Sequence, residues 1–112
     1  MLEEYIRQRL TEKEILLMTH IVIGYPTLDE AMRSVDEMEA AGVDLMELQI
    51  PFSEPIEDGP VILHANQMAL ADGIRGGQCL DFARTVCQAH PIPFLFMSYC
   101  NILYRFGLEA FA

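Results

Sequence analysis

The sequence predicts an α/β fold built on a parallel sheet, and three observations carry that prediction. Segments rich in apolar and β-branched residues alternate with amphipathic segments in the order strand, helix, strand, helix, strand. The strand segments are apolar nearly throughout. Leu16 to Ile23 reads LLMTHIVI, the pattern of a strand covered on both faces. No repeat shorter than the strand–helix unit, no low-complexity segment and no linker interrupts this order.

Each element follows from local chemistry. Leu2, Tyr5, Ile6 and Leu10 fall at helical spacing with Glu3, Glu4, Arg7 and Gln8 between them, a short amphipathic helix. Leu16 to Ile23 forms the first strand, and Gly24-Tyr25-Pro26 stops it. Thr27-Leu28-Asp29-Glu30 has the form of a capping box. Ala31, Val35 and Met38 mark the inner face of the helix it opens, and Gly42, free to take positive φ, ends it. Val43 to Ile50 (VDLMELQI) is the second strand, followed by a stiff acidic loop from Pro51 to Pro60. Pro60 suits a first helical position, where its missing N–H would be unpaired anyway. Ile62, Leu63, Ala69 and Leu70 predict a helix running to Gly73. Gly76-Gly77 is expected as a linker before the stripe Cys79, Phe82, Ala83, Val86 and Cys87. His90-Pro91 ends that helix, Pro93 to Ser98 (PFLFMS) is the third strand, and Gly107 to Ala112 opens another helix.

Composition narrows the function classes. The chain has 112 residues, 52% apolar and 21% charged, which suits one globular domain or part of one and excludes disorder. Seven Lys+Arg against 17 Asp+Glu give a net charge of −10. Such a chain cannot neutralise a run of phosphates, so nucleic acid is not an expected partner. Nor is an anionic membrane surface. The apolar stretches are too short to span a bilayer. Three cysteines without CxxC spacing suggest reduced thiols, and no basic leader precedes an apolar stretch, so a cytoplasmic location is expected. Apolar residues still arrive at Leu108-Glu109-Ala110-Phe111-Ala112. The expectation is the front part of a larger domain; a complete small domain that closes its sheet edge by oligomerising is the alternative.

The strongest chemical signal is Glu47 with Asp58. Glu47 lies among apolar residues in the second strand, where a carboxylate is costly unless it faces a polar pocket or a partner. Asp58 precedes Gly59-Pro60, so it suits a helix N-cap as well as a site. In parallel α/β folds, sites collect at the C-terminal ends of strands. Two carboxylates in different settings there can act as a proton shuttle and a fixed hydrogen-bond acceptor. Glu54, Glu57 and Asp58 lack a convincing magnesium spacing, and His20, His64 and His90 lack a mutual metal spacing, so no metal is expected. His20, inside the first strand, reads as a satisfied core imidazole. Tyr99 and Asn101, just past the third strand, are pocket-wall candidates; Asn101 equally suits a turn.

The run Glu47-Leu48-Gln49-Ile50-Pro51-Phe52-Ser53-Glu54-Pro55-Ile56-Glu57-Asp58-Gly59-Pro60 resembles the signature of the tryptophan synthase alpha subunit family. Gly24-Tyr25-Pro26, Ala41-Gly42-Val43-Asp44, the Ile62–Gln67 segment, Met97-Ser98-Tyr99-Cys100-Asn101 and Phe106-Gly107 extend the resemblance over the whole chain. It implies a (β/α)8 TIM barrel of ~250 residues. This chain would supply the N-terminal portion: an extra first helix and strands 1 to 3 with their helices. The later phosphate-binding strands would lie outside it. The implied activity is retro-aldol cleavage of indole-3-glycerol phosphate to indole and glyceraldehyde 3-phosphate in tryptophan biosynthesis, with no cofactor. Glu47 and Asp58 match the family's catalytic positions, and His20, Tyr99 and Asn101 are expected to face substrate. The loop with Pro51, Glu54 and Pro55 would face the beta subunit, to which indole passes. The isolated fragment is expected to be inactive, and a non-catalytic partial-barrel interaction module is the alternative. Three residues depart from the family pattern. Gln49 stands where Gly is common, Glu54 where Asp is common, and His20 where an aromatic ring often lines the indole pocket.

Overall fold

A computed structural model describes residues 1–111. The elements are α1 (Leu2–Arg9), β1 (Met18–Val22), α2 (Leu28–Ala40), β2 (Leu45–Gln49), α3 (Pro60–Ala71), α4 (Gly76–Ala89), β3 (Phe94–Met97), α5 (Cys100–Phe106) and α6 (Leu108–Phe111). The strands form one parallel sheet in the order β1-β2-β3. In this register His20 lies opposite Glu47 and Val22 opposite Gln49, while Glu47 faces Leu95 and Gln49 faces Met97.

Strand alternation gives the sheet two faces of opposite character. On one face Ile21, Ile23, Met46, Leu48 and Ile50 pack against Ala31 and Val35 of α2 and against Cys79, Phe82, Ala83 and Val86 of α4. This is the main core, and burial within it pushes the Cys79 thiol up to about 11. On the other face stand Met18, His20 and Val22 of β1 with Leu45, Glu47 and Gln49 of β2. Helix α3 covers that face at its C-terminal end, where Val22 packs on Ala65 and Ala69.

Capping follows the chemistry of the ends. Thr27 Oγ1 accepts the Glu30 amide and starts α2, and Pro60 occupies the first turn of α3 behind Gly59. Gly42 takes a φ of 95° after α2. At the N-terminal end of the sheet, α1 docks through Asp44, which is 1% exposed. Arg9 Nη2 and Lys13 Nζ each approach Asp44 Oδ1 at 2.8 Å, and the Leu17 amide donates to Oδ2 at 3.0 Å. Tyr5 Oη donates to the Asp44 carbonyl at 2.8 Å. Hydrogen bonds from Lys13, the Leu17 amide and Arg9 hold the Asp44 carboxyl well below the usual carboxylate range.

Several expectations need correction. The first strand is not covered on both faces along its length, because α3 reaches only its C-terminal end; Met18 is 52% exposed. Gly76 and Gly77 are not a linker but the first residues of α4. A β-carbon on Gly76 would lie 2.6 Å from Phe106 Cε2, so this glycine lets the α5 ring lie directly on the start of α4. Asn101 lies in helix α5 rather than in a turn. The last helix is shorter than the predicted segment and begins at Leu108; Ala112 lies outside the described residues.

Candidate active site

Glu47 projects from the middle of β2 on the face opposite the main core. Its side chain is 28% exposed and that of His20 26% exposed. Parallel pairing sets the two side by side, and His20 Nδ1 lies 2.8 Å from Glu47 Oε2. Two residues further along β2, the fully buried Gln49 points the same way. Its Oε1 is 2.8 Å from His20 Nε2, and its Nε2 donates to Asp58 Oδ2 at 3.0 Å. Tyr99 Oη lies 3.4 Å from the same carboxylate oxygen. A polar row therefore runs Glu47–His20–Gln49–Asp58–Tyr99 across one face of an otherwise apolar sheet.

The loop carrying Asp58 is fixed from two sides. The Phe52 amide donates to Asn66 Oδ1 at 2.8 Å, and Asn66 Nδ2 donates to the Ile62 carbonyl at 2.8 Å. Asn66 is fully buried. The Phe52 and Tyr99 rings stack with centroids 4.7 Å apart and planes at 22°. Asp58 does not cap α3: the N-cap is Gly59, and no side chain bonds there.

The structure thus brings four of the predicted site residues together: Glu47, Asp58, His20 and Tyr99. It leaves Asn101 apart, exposed on the first turn of α5 beside Phe52, Ser53 and Arg105. Of the loop residues expected to face a partner, Pro51 and Pro55 are buried and Glu54 is exposed, as is Ile56 beside it. Two residues that join or support the row escaped the sequence reading, Gln49 as a bridging group and Asn66 as the loop's anchor. Parity along β2 was the available signal for Gln49, since it must share a face with Glu47.

A cavity of about 460 Å³ lies elsewhere, lined by Leu70 of α3, Cys79 of α4, Arg105 of α5 and the adjoining Ile50, Pro51 and Arg75, with none of the row in its walls. The row is the site with chemistry in it. Among the described residues no group of three or more His, Cys, Asp and Glu is placed to hold a metal ion. None of the described helices is long and apolar enough to cross a membrane.

Comparison with known proteins agrees with this architecture. The family model described as tryptophan synthase alpha chain matches residues 6–112. The tryptophan synthase alpha chain of Syntrophotalea carbinolica is 65% identical over 112 residues, all of this chain and 44% of the relative. That of Desulforapulum autotrophicum is 60% identical, over 99% of this chain and 44% of the relative. The crystal structure of tryptophan synthase subunit alpha from Legionella pneumophila str. Paris superposes with a TM-score of 0.92 at 27% identity, over 98% of this chain and 42% of that chain. The chain spans less than half the length of these relatives, and its three parallel strands with their helices match the N-terminal part of their TIM barrel. With the family model matched over residues 6–112 and the fold superposing on the first part of such a barrel, the chain belongs to the tryptophan synthase alpha chain family.

Proposed function

We propose that these residues supply the carboxylate pair of a tryptophan synthase alpha-type lyase, which cleaves indole-3-glycerol phosphate to indole and glyceraldehyde 3-phosphate. The observation that carries this reading is the polar row itself. It sets Glu47 in the middle of β2 and Asp58 in the loop that follows, each half-buried and each held by hydrogen bonds.

The chemistry needs two carboxyl groups with different duties. Glu47 gives its proton to C3 of the indole, and the nitrogen becomes an indolium. The Asp58 carboxylate, already oriented by Gln49, accepts the indole N–H and stabilises that charge. Glu47, now a carboxylate, takes the proton of the side-chain hydroxyl. The carbon–carbon bond breaks, the aldehyde leaves, indole regains its aromaticity, and Glu47 is protonated again. Both protons are accounted for without any cofactor. The exposed Glu54 and Ile56 give the loop a free surface for the beta subunit, the partner this reading assigns.

Turnover is tested by joining the chain to the remaining C-terminal part of the Syntrophotalea carbinolica relative and assaying indole release. The joined protein should turn over. Glu47→Gln should lower kcat by about 10²–10⁴ with KM little changed, and Asp58→Asn by about 10²–10³. The 112-residue chain alone should release no measurable indole, since binding energy from the rest of the substrate is needed to orient the reacting centre. If Glu47→Gln stays within a few-fold of the parent, the acid–base assignment is wrong. If the joined protein binds a beta subunit yet never releases indole, the residues serve interaction rather than catalysis.

A further inference from the structure

We propose that His20 and Gln49 form a hydrogen-bonded bridge between the two carboxylates, in which His20 is the positioning residue of Glu47 and holds one proton jointly with it. This rests on the proposed reading only for Asp58 being a carboxylate; the rest follows from three contacts.

Gln49 fixes the direction of the bridge. A side-chain amide has one accepting oxygen and one donating nitrogen. A carboxylate can only accept, so the amide nitrogen must face Asp58 Oδ2, 3.0 Å away. Turning the amide over would set two oxygens against each other in a fully buried place. The amide oxygen therefore faces His20 Nε2 at 2.8 Å, and Nε2 carries a hydrogen.

The far side of the ring is then constrained. Nδ1 lies 2.8 Å from Glu47 Oε2. With Nε2 protonated, either Nδ1 is also protonated and donates to a Glu47 carboxylate, or Nδ1 is bare and accepts from a Glu47 carboxylic acid. In both cases one proton sits in that contact. The two forms differ by its passage from one atom to the other, with no change in net charge. Glu47 thus has a proton source inside the fold as well as a fixed orientation. His20 is in turn fixed by Gln49, and Gln49 by Asp58. The acid–base group and the charge-stabilising group are held by one another through two side chains.

The bridge is read spectroscopically on the chain itself, with ¹⁵N-labelled histidine, in solution or sedimented. His20→Phe identifies the signals of His20 among the three histidines of the chain. The expected result is a hydrogen fixed on His20 Nε2 that exchanges with solvent at least about tenfold more slowly than that of the exposed His64, the protection one hydrogen bond confers. Gln49→Met keeps the shape but removes both amide groups, and should release that hydrogen to ordinary imidazole exchange. Glu47→Gln has no carboxyl proton to share, and should leave a neutral ring with its hydrogen on Nε2 and Nδ1 accepting from the new amide nitrogen. A hydrogen on Nδ1 alone in the parent chain, an averaged imidazole pattern, or a Gln49→Met spectrum identical to the parent would each overturn the proposal. None of these readouts needs turnover. A fixed Nε2 hydrogen in a joined barrel that releases no indole sinks the lyase reading and leaves the bridge standing. Indole release from a joined barrel whose His20 ring is averaged does the reverse.

Discussion

Replacing Asn66 by Ala should loosen the loop that carries Asp58, and the size of the effect can be worked from two hydrogen bonds. Asn66 is fully buried, with Oδ1 accepting the Phe52 amide and Nδ2 donating to the Ile62 carbonyl, both at 2.8 Å. Truncation leaves the Phe52 N–H without its acceptor, at about 1–3 kcal/mol. The Ile62 carbonyl lies inside α3 and keeps the helix ladder, so it loses only the net value of one bond, about 1 kcal/mol. The total of about 2–4 kcal/mol is a large share of the ~5–15 kcal/mol typical of a domain. It corresponds to a fall of about 30–700-fold in protection of the Phe52 amide, since about 1.4 kcal/mol is a factor of ten. Amide hydrogen exchange at Phe52, at fixed protein concentration, is the assay. Asn66→Asp separates the two bonds: it keeps an acceptor for Phe52 while losing the donor to Ile62. Phe52 should then stay protected although the fold as a whole is weakened. The reasoning is refuted if Asn66→Ala changes Phe52 protection by less than about threefold while the sheet amides remain protected.

Acid should undo the α1 dock first. The Asp44 carboxyl is held below its ordinary value near 3.8, so its contribution is fully present above that value and lost as the pH falls through the lower, folded one. Circular dichroism followed downward from roughly pH 4 should show this acid limb, and Asp44→Asn should flatten it. Thr19 Oγ1 is buried without a hydrogen-bond partner; Thr19→Val should therefore stabilise the chain by about 1 kcal/mol in urea denaturation, and destabilisation would show that the hydroxyl does have a partner. The chain alone should associate through the outer edges of β1 and β3, where Met18, Phe96 and Met97 are exposed. The net charge of −10 opposes this only over the ~8 Å Debye length of physiological salt. Light scattering should show larger species that grow with salt, against which a monodisperse monomer with protected β1 and β3 amides would count.

What the sequence made legible was governed by short-range rules. The Thr27 cap, the Pro60 start, the Gly42 stop and the alternation of strand and helix are local, and each holds in the structure. The prominence of Glu47 was legible because a lone carboxylate in an apolar strand is conspicuous. Its partner was not. The partner is an imidazole on the neighbouring strand, visible only once the register sets His20 opposite Glu47. The Asp44 dock was hidden for a similar reason, since its ligands Arg9 and Lys13 lie 35 and 31 residues away. The glycine pair misled because the role of Gly76 depends on the Phe106 ring in α5, far along the chain. Long-range pairing, not propensity, separates the two groups of features.

The same distinction explains why His20 and Gln49 belong together. The apolar face of the sheet is built from groups that tolerate one another in any combination of suitable volume. The polar row is not, because each member depends on its neighbour for a buried hydrogen bond. With Gly at position 49, His20 Nε2 would have no acceptor from β2 and Asp58 would lose its Gln49 donor. With an aromatic hydrocarbon at position 20, Gln49 Oε1 would be buried without a donor, at about 1–3 kcal/mol. Either residue alone is a defect; both together close a chain in which every inner group is satisfied. His20 and Gln49 are therefore one structural unit rather than two. The physical effect of the pair is to join two carboxylates into a single hydrogen-bonded unit.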